Sequence, residues 1–238
     1  MSKLILVELK NIFSKFDIKF TLLIFTLFGI VMGIINKLNN SPTCEGIFEW
    51  ILILMLLISA LGGLYISRDY TQNTIRNKII VGHTRFNIYL SKQIAITLMY
   101  FSCSGGFIIS TIISNFLFVG KENLNNEAFL TGLLVSIFII ITFSIITTFI
   151  AMTIKKETGG LMPLLVMFLM MIFSAMGMEF IKGEAINVIN DIVPTSQMML
   201  LNLTNVDPHP LRHILYSILT SVIFFVSGYT IFKNSDLN

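Results

Sequence analysis

Six runs of nearly uninterrupted apolar residues constrain this chain more than any other feature. A helix of about 20 residues crosses a hydrocarbon core of roughly 30 Å. Lipid offers no partner to backbone polar groups, and the runs lack the alternation of barrel strands. We therefore predict an all-α, polytopic membrane protein with one transmembrane domain, residues 1–238. The predicted spans cover residues 20–36, 51–67, 94–119, 128–154, 161–178 and 214–232.

Composition and the placement of charge agree with this prediction. Hydrophobic residues make up 55% of the chain, charged residues 12%, and the mean hydropathy is +0.84, far from a soluble protein. Cytoplasmic loops are enriched in lysine and arginine, so the side holding most of the 16 such residues is predicted to be the cytoplasm. That side would hold Lys3, Lys10, Lys15, Lys19, Arg68, Arg76, Lys78, Arg85, Lys92, Lys155, Lys156 and Lys233. Both termini are then cytoplasmic, and a net charge of +3 gives no indication of a nucleic-acid partner.

The first 18 residues predict an amphipathic helix on the inner membrane surface. Its apolar side chains recur at helical spacing and are Ile5, Leu9, Ile12, Phe13 and Phe16. The polar positions around the helix hold Lys3, Glu8, Lys10, Asn11 and Lys15. The alternative is a cytoplasmic extension of the first span.

Several function classes are disfavoured by what the sequence lacks. No Asp, Glu, Lys, Arg or His falls within the six predicted spans, whereas ion-coupled carriers place ionisable groups at that depth. The sequence has no metalloprotease or nucleophile-elbow motif, and no G-x-x-x-x-G-K-[ST] nucleotide loop. We expect no enzymatic activity, metal or cofactor in this chain, so an ATP-driven process would need the ATPase of another polypeptide.

A polar, basic loop, residues 68–85, separates the second and third spans. Asp69 or Thr71 suits a helix N-cap, and Gly82 suits the left-handed residue that ends a helix. A short cytoplasmic helix over residues 69–82 would place Ile75, Ile79 and Ile80 on one apolar side and project Arg76, Asn77 and Lys78 elsewhere. Such a helix could dock on a soluble partner or lie against anionic lipid headgroups, and the residues alone leave both readings open.

This loop carries a family resemblance. Residues 66–79, followed by Gly82, Arg85 and residues 89–92, resemble the corresponding part of type-2 ATP-binding-cassette exporter permeases. The similarity is greatest to a small bacterial six-span group linked to export of, or immunity to, antimicrobial peptides. Asn73-Thr74 stands where that family commonly has Gly-Thr. The resemblance implies a coupling helix seated on an ATPase and formed by Arg68, Asp69, Tyr70, Thr71, Asn73, Thr74, Ile75, Arg76, Asn77, Lys78, Ile79, Gly82 and Arg85.

The resemblance also implies partners and a location. The expected assembly contains two permease chains, identical or closely paralogous, and two cytoplasmic ATPase subunits that carry ATP and Mg. The expected location is the bacterial plasma membrane, and the expected cargo is an amphipathic peptide or a lipid-like molecule. Residues 179–210 would form an outer re-entrant segment, with a plain extracellular loop as the alternative. A non-transporting immunity or sensor protein and an ion-coupled carrier remain as alternative functions.

Small residues and methionines suggest further roles within the spans. Gly29 and Gly33 form a G-x-x-x-G pattern, and Gly105 and Gly106 lie among serines, so both places favour close helix packing, within the chain or across a dimer. Flexible methionine side chains suit varied apolar cargo, although they also fill ordinary cores. The predicted substrate-path residues are Met167, Met170, Met171 and Phe173.

Overall fold

The computed structural model describes residues 2–39, 47–118, 126–155, 157–180, 190–203 and 210–235. All regular structure in these ranges is helical, as the sequence predicts. The helices are α1 (Ser2–Ser14), α2 (Phe16–Asn39), α3 (Ile47–Thr71), α4 (Thr74–Ile80), α5 (Arg85–Phe118), α6 (Asn126–Ile154), α7 (Met162–Phe180), α8 (Pro194–Leu203) and α9 (Pro210–Lys233), with a 3-10 turn at Glu157–Gly160.

Five of these helices, α2, α3, α5, α6 and α9, are long and apolar enough to cross a membrane. The predicted fifth span corresponds to α7, whose apolar part, Met162–Gly177, is shorter. A multi-pass membrane protein is therefore supported, while a sixth crossing remains a prediction.

Several helix boundaries differ from the sequence prediction. The predicted amphipathic helix ends at Ser14, and α2 begins at Phe16 after a break at Lys15. The helix of the third span begins nine residues before the predicted Ile94, at Arg85, because residues 85–93 extend it. The 34 residues of α5 extend about 51 Å at 1.5 Å per residue, so this helix exceeds a hydrocarbon core of roughly 30 Å.

The helices pack through small and hydroxylated residues. α2 runs along α5 with Gly29 and Gly33 at the contact: a Cβ atom at Gly33 would lie 2.1 Å from the Ser114 hydroxyl oxygen. α6 runs along α9, and the Thr142 hydroxyl donates a hydrogen bond of 3.1 Å to the Ser217 carbonyl oxygen. Such contacts let helices approach closely where lipid supplies no hydrophobic driving force.

One end of the bundle is defined by contacts among several helix termini. The Tyr70 hydroxyl, near the end of α3, donates to the Met152 carbonyl oxygen near the end of α6. The Arg85 guanidinium, at the start of α5, donates to carbonyl oxygens at the end of α9, those of Phe232, Lys233 and Ser235, at 3.1, 2.6 and 2.7 Å. We call this the Arg85 end, and the sequence predicts that it is cytoplasmic.

Helix α8 occupies part of the predicted outer segment and packs against α3, α6 and α7. Pro194 provides its first residue, a position that does not require a backbone donor. Gln197 on α8 accepts a hydrogen bond of 2.8 Å from Ser217 of α9, and Thr195 contacts Ser174 of α7 at 2.6 Å. Residues 181–189 and 204–209 of this segment lie outside the described ranges, and its re-entry into a membrane remains a prediction.

Candidate functional site

The polar loop forms a short helix, but within narrower limits than predicted. α3 continues to Thr71, so the helix of the loop, α4, covers only Thr74–Ile80. The capping prediction was wrong: Asn73, at φ 55°, precedes α4, and it makes no side-chain cap. Gly82 has φ 98° as the sequence predicts. The backbone N–H groups of Gly82 and His83 bond to the carbonyl oxygens of Ile79 and Lys78, which is the Schellman arrangement that ends a helix.

Beneath α4 lies a cluster of four charged side chains, which we call the buried charge cluster. It consists of Glu8 from α1, Asp69 from α3, Lys78 from α4 and Lys92 from α5. Glu8 pairs with both lysines, Lys92 also pairs with Asp69, and Lys78 lies 3.5 Å from Asp69. Four helices therefore meet through ion pairs at the Arg85 end.

Tyr65 of α3 completes the cluster. Its hydroxyl donates to the Glu8 carboxylate, and the Lys92 ammonium lies 4.1 Å from the centroid of its ring. A cation over an aromatic face is attracted by the ring quadrupole. Tyr65 therefore stabilises both the acid and the base at the centre of the cluster.

The cluster is inaccessible at its centre, since Glu8 and Lys92 have no exposed surface. A buried charge is tolerated only when it is paired and hydrogen-bonded. Here two carboxylates face two ammonium groups, and their formal charges cancel. Burial by itself raises the pKa of Glu8, but Lys92, Lys78 and the Tyr65 hydroxyl together hold that pKa below its ordinary value. Glu8 is therefore ionised at neutral pH.

Two sequence predictions fail at this cluster. Glu8 was assigned to the polar face of α1, and Lys78 was expected to project away from the protein, yet both point into the protein. Local periodicity assigns a charged residue to solvent, because burial of an unpaired charge is costly. The two partners are 70 residues apart, so a local pattern gives no signal that they would meet.

The opposite side of α4 is exposed, and we call Arg76, Asn77, Ile80 and Val81 the outer α4 face. Ile75 is buried as predicted, whereas the prediction for Ile80 was wrong: its side chain is 73% exposed, and that of Val81 is 78% exposed. With seven residues, α4 makes about two turns, and Ile80 falls almost opposite Ile75. In the described part of the chain, the Arg76 guanidinium has no ion-pair partner.

Other predicted loop residues make contacts within the chain. Arg68 pairs with Asp17 of α2 at 3.1 Å, and Thr71 donates to the Arg68 carbonyl oxygen. Thr74 donates to the Asp69 carbonyl oxygen across the turn. Together with Tyr70 and Arg85, these contacts secure the loop to the ends of α2, α3, α6 and α9. Their role on an ATPase remains a prediction.

The predicted substrate-path residues share α7 but do not share one surface. Met167 is buried, Met170 and Met171 are half-buried, and Phe173 is 69% exposed. The glycines of α5 also differ from those of α2, since a Cβ atom at Gly105 would meet nothing within 4 Å and one at Gly106 would meet only Thr26, at 3.2 Å.

A second charged group lies at the opposite end of the bundle. Asp191 pairs with Arg212 at 2.7 Å and approaches His213 at 3.7 Å. Across the described residues, no three His, Cys, Asp or Glu side chains gather as a set of metal ligands.

Comparison of the chain with models of protein families gave no match, and a search among curated proteins gave none either.

Proposed function

We propose that this chain is the membrane-spanning permease subunit of an ATP-driven exporter, and that a separate cytoplasmic ATPase docks on the outer α4 face. The observation that carries the proposal is the two-sided character of α4. Its inner side is tied to α1 and α3 by the ion pairs of Lys78 and, through Glu8 and Asp69, to Lys92 of α5, while its outer side presents an unpaired cation and two exposed aliphatic side chains.

The composition of the outer α4 face favours a protein partner. Ile80 and Val81 are large apolar groups at the tip of a polar loop, outside the apolar part of the spans. Exposed apolar groups rimmed by polar residues are typical of interaction sites. Arginine is also enriched at the centres of protein interfaces.

The buried charge cluster supports transmission of movement from α4 to the spans. Removing Lys78 from Glu8 would leave a buried carboxylate without one of its two cations, which is energetically unfavourable. A displaced α4 would therefore carry α1, α3 and α5 with it. This coupling is what a permease without its own nucleotide loop requires from an external ATPase.

Glu8 of the cluster is not suited to proton coupling as the source of energy. A proton carrier needs a group that gains and loses protons near neutral pH. Glu8 is held ionised by two lysines, and its pKa is lowered. We therefore favour ATP supplied by a partner over an ion gradient, with an amphipathic peptide or lipid-like molecule as the proposed cargo.

The proposal is tested by co-purification of the full-length tagged chain from membranes of its native host. The test variant is Arg76→Glu with Ile80→Ser, two exposed positions one helical turn apart. Truncated interface anchors cost about 1 to 2 kcal/mol each, and about 1.4 kcal/mol is tenfold in affinity. We expect co-eluting ATPase to fall at least tenfold, with no change in the amount of the chain.

The matched control is Lys10→Glu with Leu6→Ser on α1. Lys10 and Leu6 are exposed and have the same spacing and chemistry. Retention of ATPase by this control and its loss from the test variant would support docking on α4. The proposal is wrong if the unmodified chain recovers no nucleotide-binding subunit, or if both variants retain it equally.

A further inference from the structure

We propose that the crevice between the start of α2 and the inner part of α3 binds the phosphate group of an anionic phospholipid. The crevice has a volume of about 310 Å³ and is lined by Lys15, Asp17, Ile18, Phe20, Thr21, Leu61, Leu64, Tyr65 and Arg68. This inference does not depend on the proposed transport function, since it concerns a different face of the protein.

The charge in the crevice is not balanced by its own residues. Lys15 and Arg68 contribute two cations, and Asp17 is the single acid among the lining residues. Asp17 lies 3.1 Å from Arg68. Its negative charge therefore compensates Arg68 more than it compensates Lys15. The lining residues therefore carry one excess positive charge, which a monoanionic phosphodiester would neutralise.

The position of Lys15 is fixed by the fold. Lys15 occupies the break between α1 and α2, and its ammonium lies 4.7 Å from the centroid of the Tyr65 ring. Burial lowers the pKa of Lys15, and the nearby Arg68 guanidinium lowers it further, against the opposing effects of Asp69, Asp17 and Glu8. A bound anion between the two cations would remove this repulsion.

The remaining walls suit the glycerol backbone and the first part of an acyl chain. Ile18, Phe20, Leu61 and Leu64 form the apolar lining, and Phe20 is 51% exposed at its edge. The crevice lies where the first span begins, which is where the polar and apolar parts of a lipid separate. Lysine and arginine at this level are the side chains that anionic lipids attract.

A volume near 310 Å³ is at the lower end of the range for small-molecule sites. The headgroup region of one phospholipid therefore fits this crevice better than an amphipathic peptide does. The chemistry required is a phosphate group, which could also come from a soluble phosphate ester. The experiment separates these two sources.

The test uses the purified full-length chain in nanodiscs of phosphatidylcholine with or without phosphatidylglycerol. The readouts are the shift in unfolding temperature and the amount of phosphatidylglycerol retained in native mass spectrometry. We expect Lys15→Gln to reduce retention about fivefold, because each basic side chain near the surface contributes about that factor. Lys19→Gln is the matched control, since Lys19 is exposed nearby and does not line the crevice.

A second variant keeps every charge of the crevice and changes only its free volume. Leu61→Trp fills the apolar part of the crevice, and we expect it to reduce retention as well, with the unfolding temperature in phosphatidylcholine alone unchanged. The proposal is overturned if Lys19→Gln weakens retention as much as Lys15→Gln, or if Leu61→Trp has no effect. Equal stabilisation by glycerol 1-phosphate in phosphatidylcholine alone would overturn the assignment to lipid.

Discussion

Glu8 has more influence on this structure than its place in the sequence suggests. It is the one acidic residue of α1, and it binds lysines from two other helices. Without its carboxylate, Lys92 would keep only Asp69, in a site that has no exposed surface. Removing one partner of a buried ion pair typically costs about 3 to 5 kcal/mol, whereas exposed pairs contribute about 1 kcal/mol or less.

We therefore expect Glu8→Gln to destabilise the protein by about 3 kcal/mol, measured by thermal unfolding in detergent. Glu8→Gln with Lys78→Gln leaves the Asp69–Lys92 pair balanced and should recover part of that loss. Asp17→Asn, which breaks the exposed pair with Arg68, is the control and should cost about 1 kcal/mol at most. Additive effects in the double variant would contradict a shared cluster.

The same variants should differ in their dependence on pH. Because the folded protein holds the pKa of Glu8 below its ordinary value, this group stabilises the fold fully above the unfolded pKa of about 4.3. That contribution is lost as the pH falls through the lowered pKa. The gap in unfolding temperature between the unmodified protein and Glu8→Gln should narrow below about pH 4. A constant gap would assign the effect to packing.

At the level of elements, local sequence predicts helices better than it predicts their neighbours. The apolar runs predict α2, α3, α6 and α9. Gly82 predicts the end of α4, because a left-handed conformation depends mainly on the residue itself and glycine adopts it without steric cost. The orientation of α4 was predicted incorrectly at Lys78 and Ile80. The environment of Lys78 depends on Glu8 of α1, which is 70 residues away in the sequence. The exposure of Ile80 follows from a helix that starts later than the capping residues predict.

The contact between α2 and α5 gives a direct test of element packing. We expect Gly33→Ala to destabilise the protein by about 2 kcal/mol, the usual cost of overpacking, because the new Cβ would lie 2.1 Å from the Ser114 hydroxyl and 2.9 Å from its carbonyl carbon. Gly105→Ala on α5 is the matched control, with nothing within 4 Å of its Cβ position. Unfolding in a titration with denaturing detergent measures both, and equal losses would contradict close packing at Gly33.

For the whole molecule, the contacts at the two ends of the bundle indicate how the chain traverses it. The start of α7 lies near the Arg85 end, since a Cβ at Gly63 of α3 would meet the Gly160 carbonyl oxygen. Further along α7, Ser174 contacts Thr195 of α8. Gln197, also on α8, accepts a hydrogen bond from Ser217 in the first half of α9. α7 thus runs away from the Arg85 end. Its 19 residues extend about 28 Å, close to the thickness of a hydrocarbon core.

We expect α7 to cross the membrane and both termini to lie in the cytoplasm. In a background with Cys44→Ser and Cys103→Ala, Gln72→Cys, at an exposed position between α3 and α4, should react with an impermeant maleimide only after permeabilisation. Leu211→Cys, at an exposed position near the start of α9, should react in intact cells. If neither position reacts in intact cells, the chain crosses the membrane five times. If Gln72→Cys reacts in intact cells and Leu211→Cys does not, the orientation is the reverse.

The buried charge cluster also has a consequence for the biosynthesis of the chain. Glu8 is translated before Lys92, which follows it 84 residues later. Until α5 has been made, the carboxylate of α1 lacks one of the two cations that permit its burial, and it must stay hydrated at the membrane surface. Helix α1 therefore reaches its final place only after the three helices that follow it, and after at least the first turns of α5.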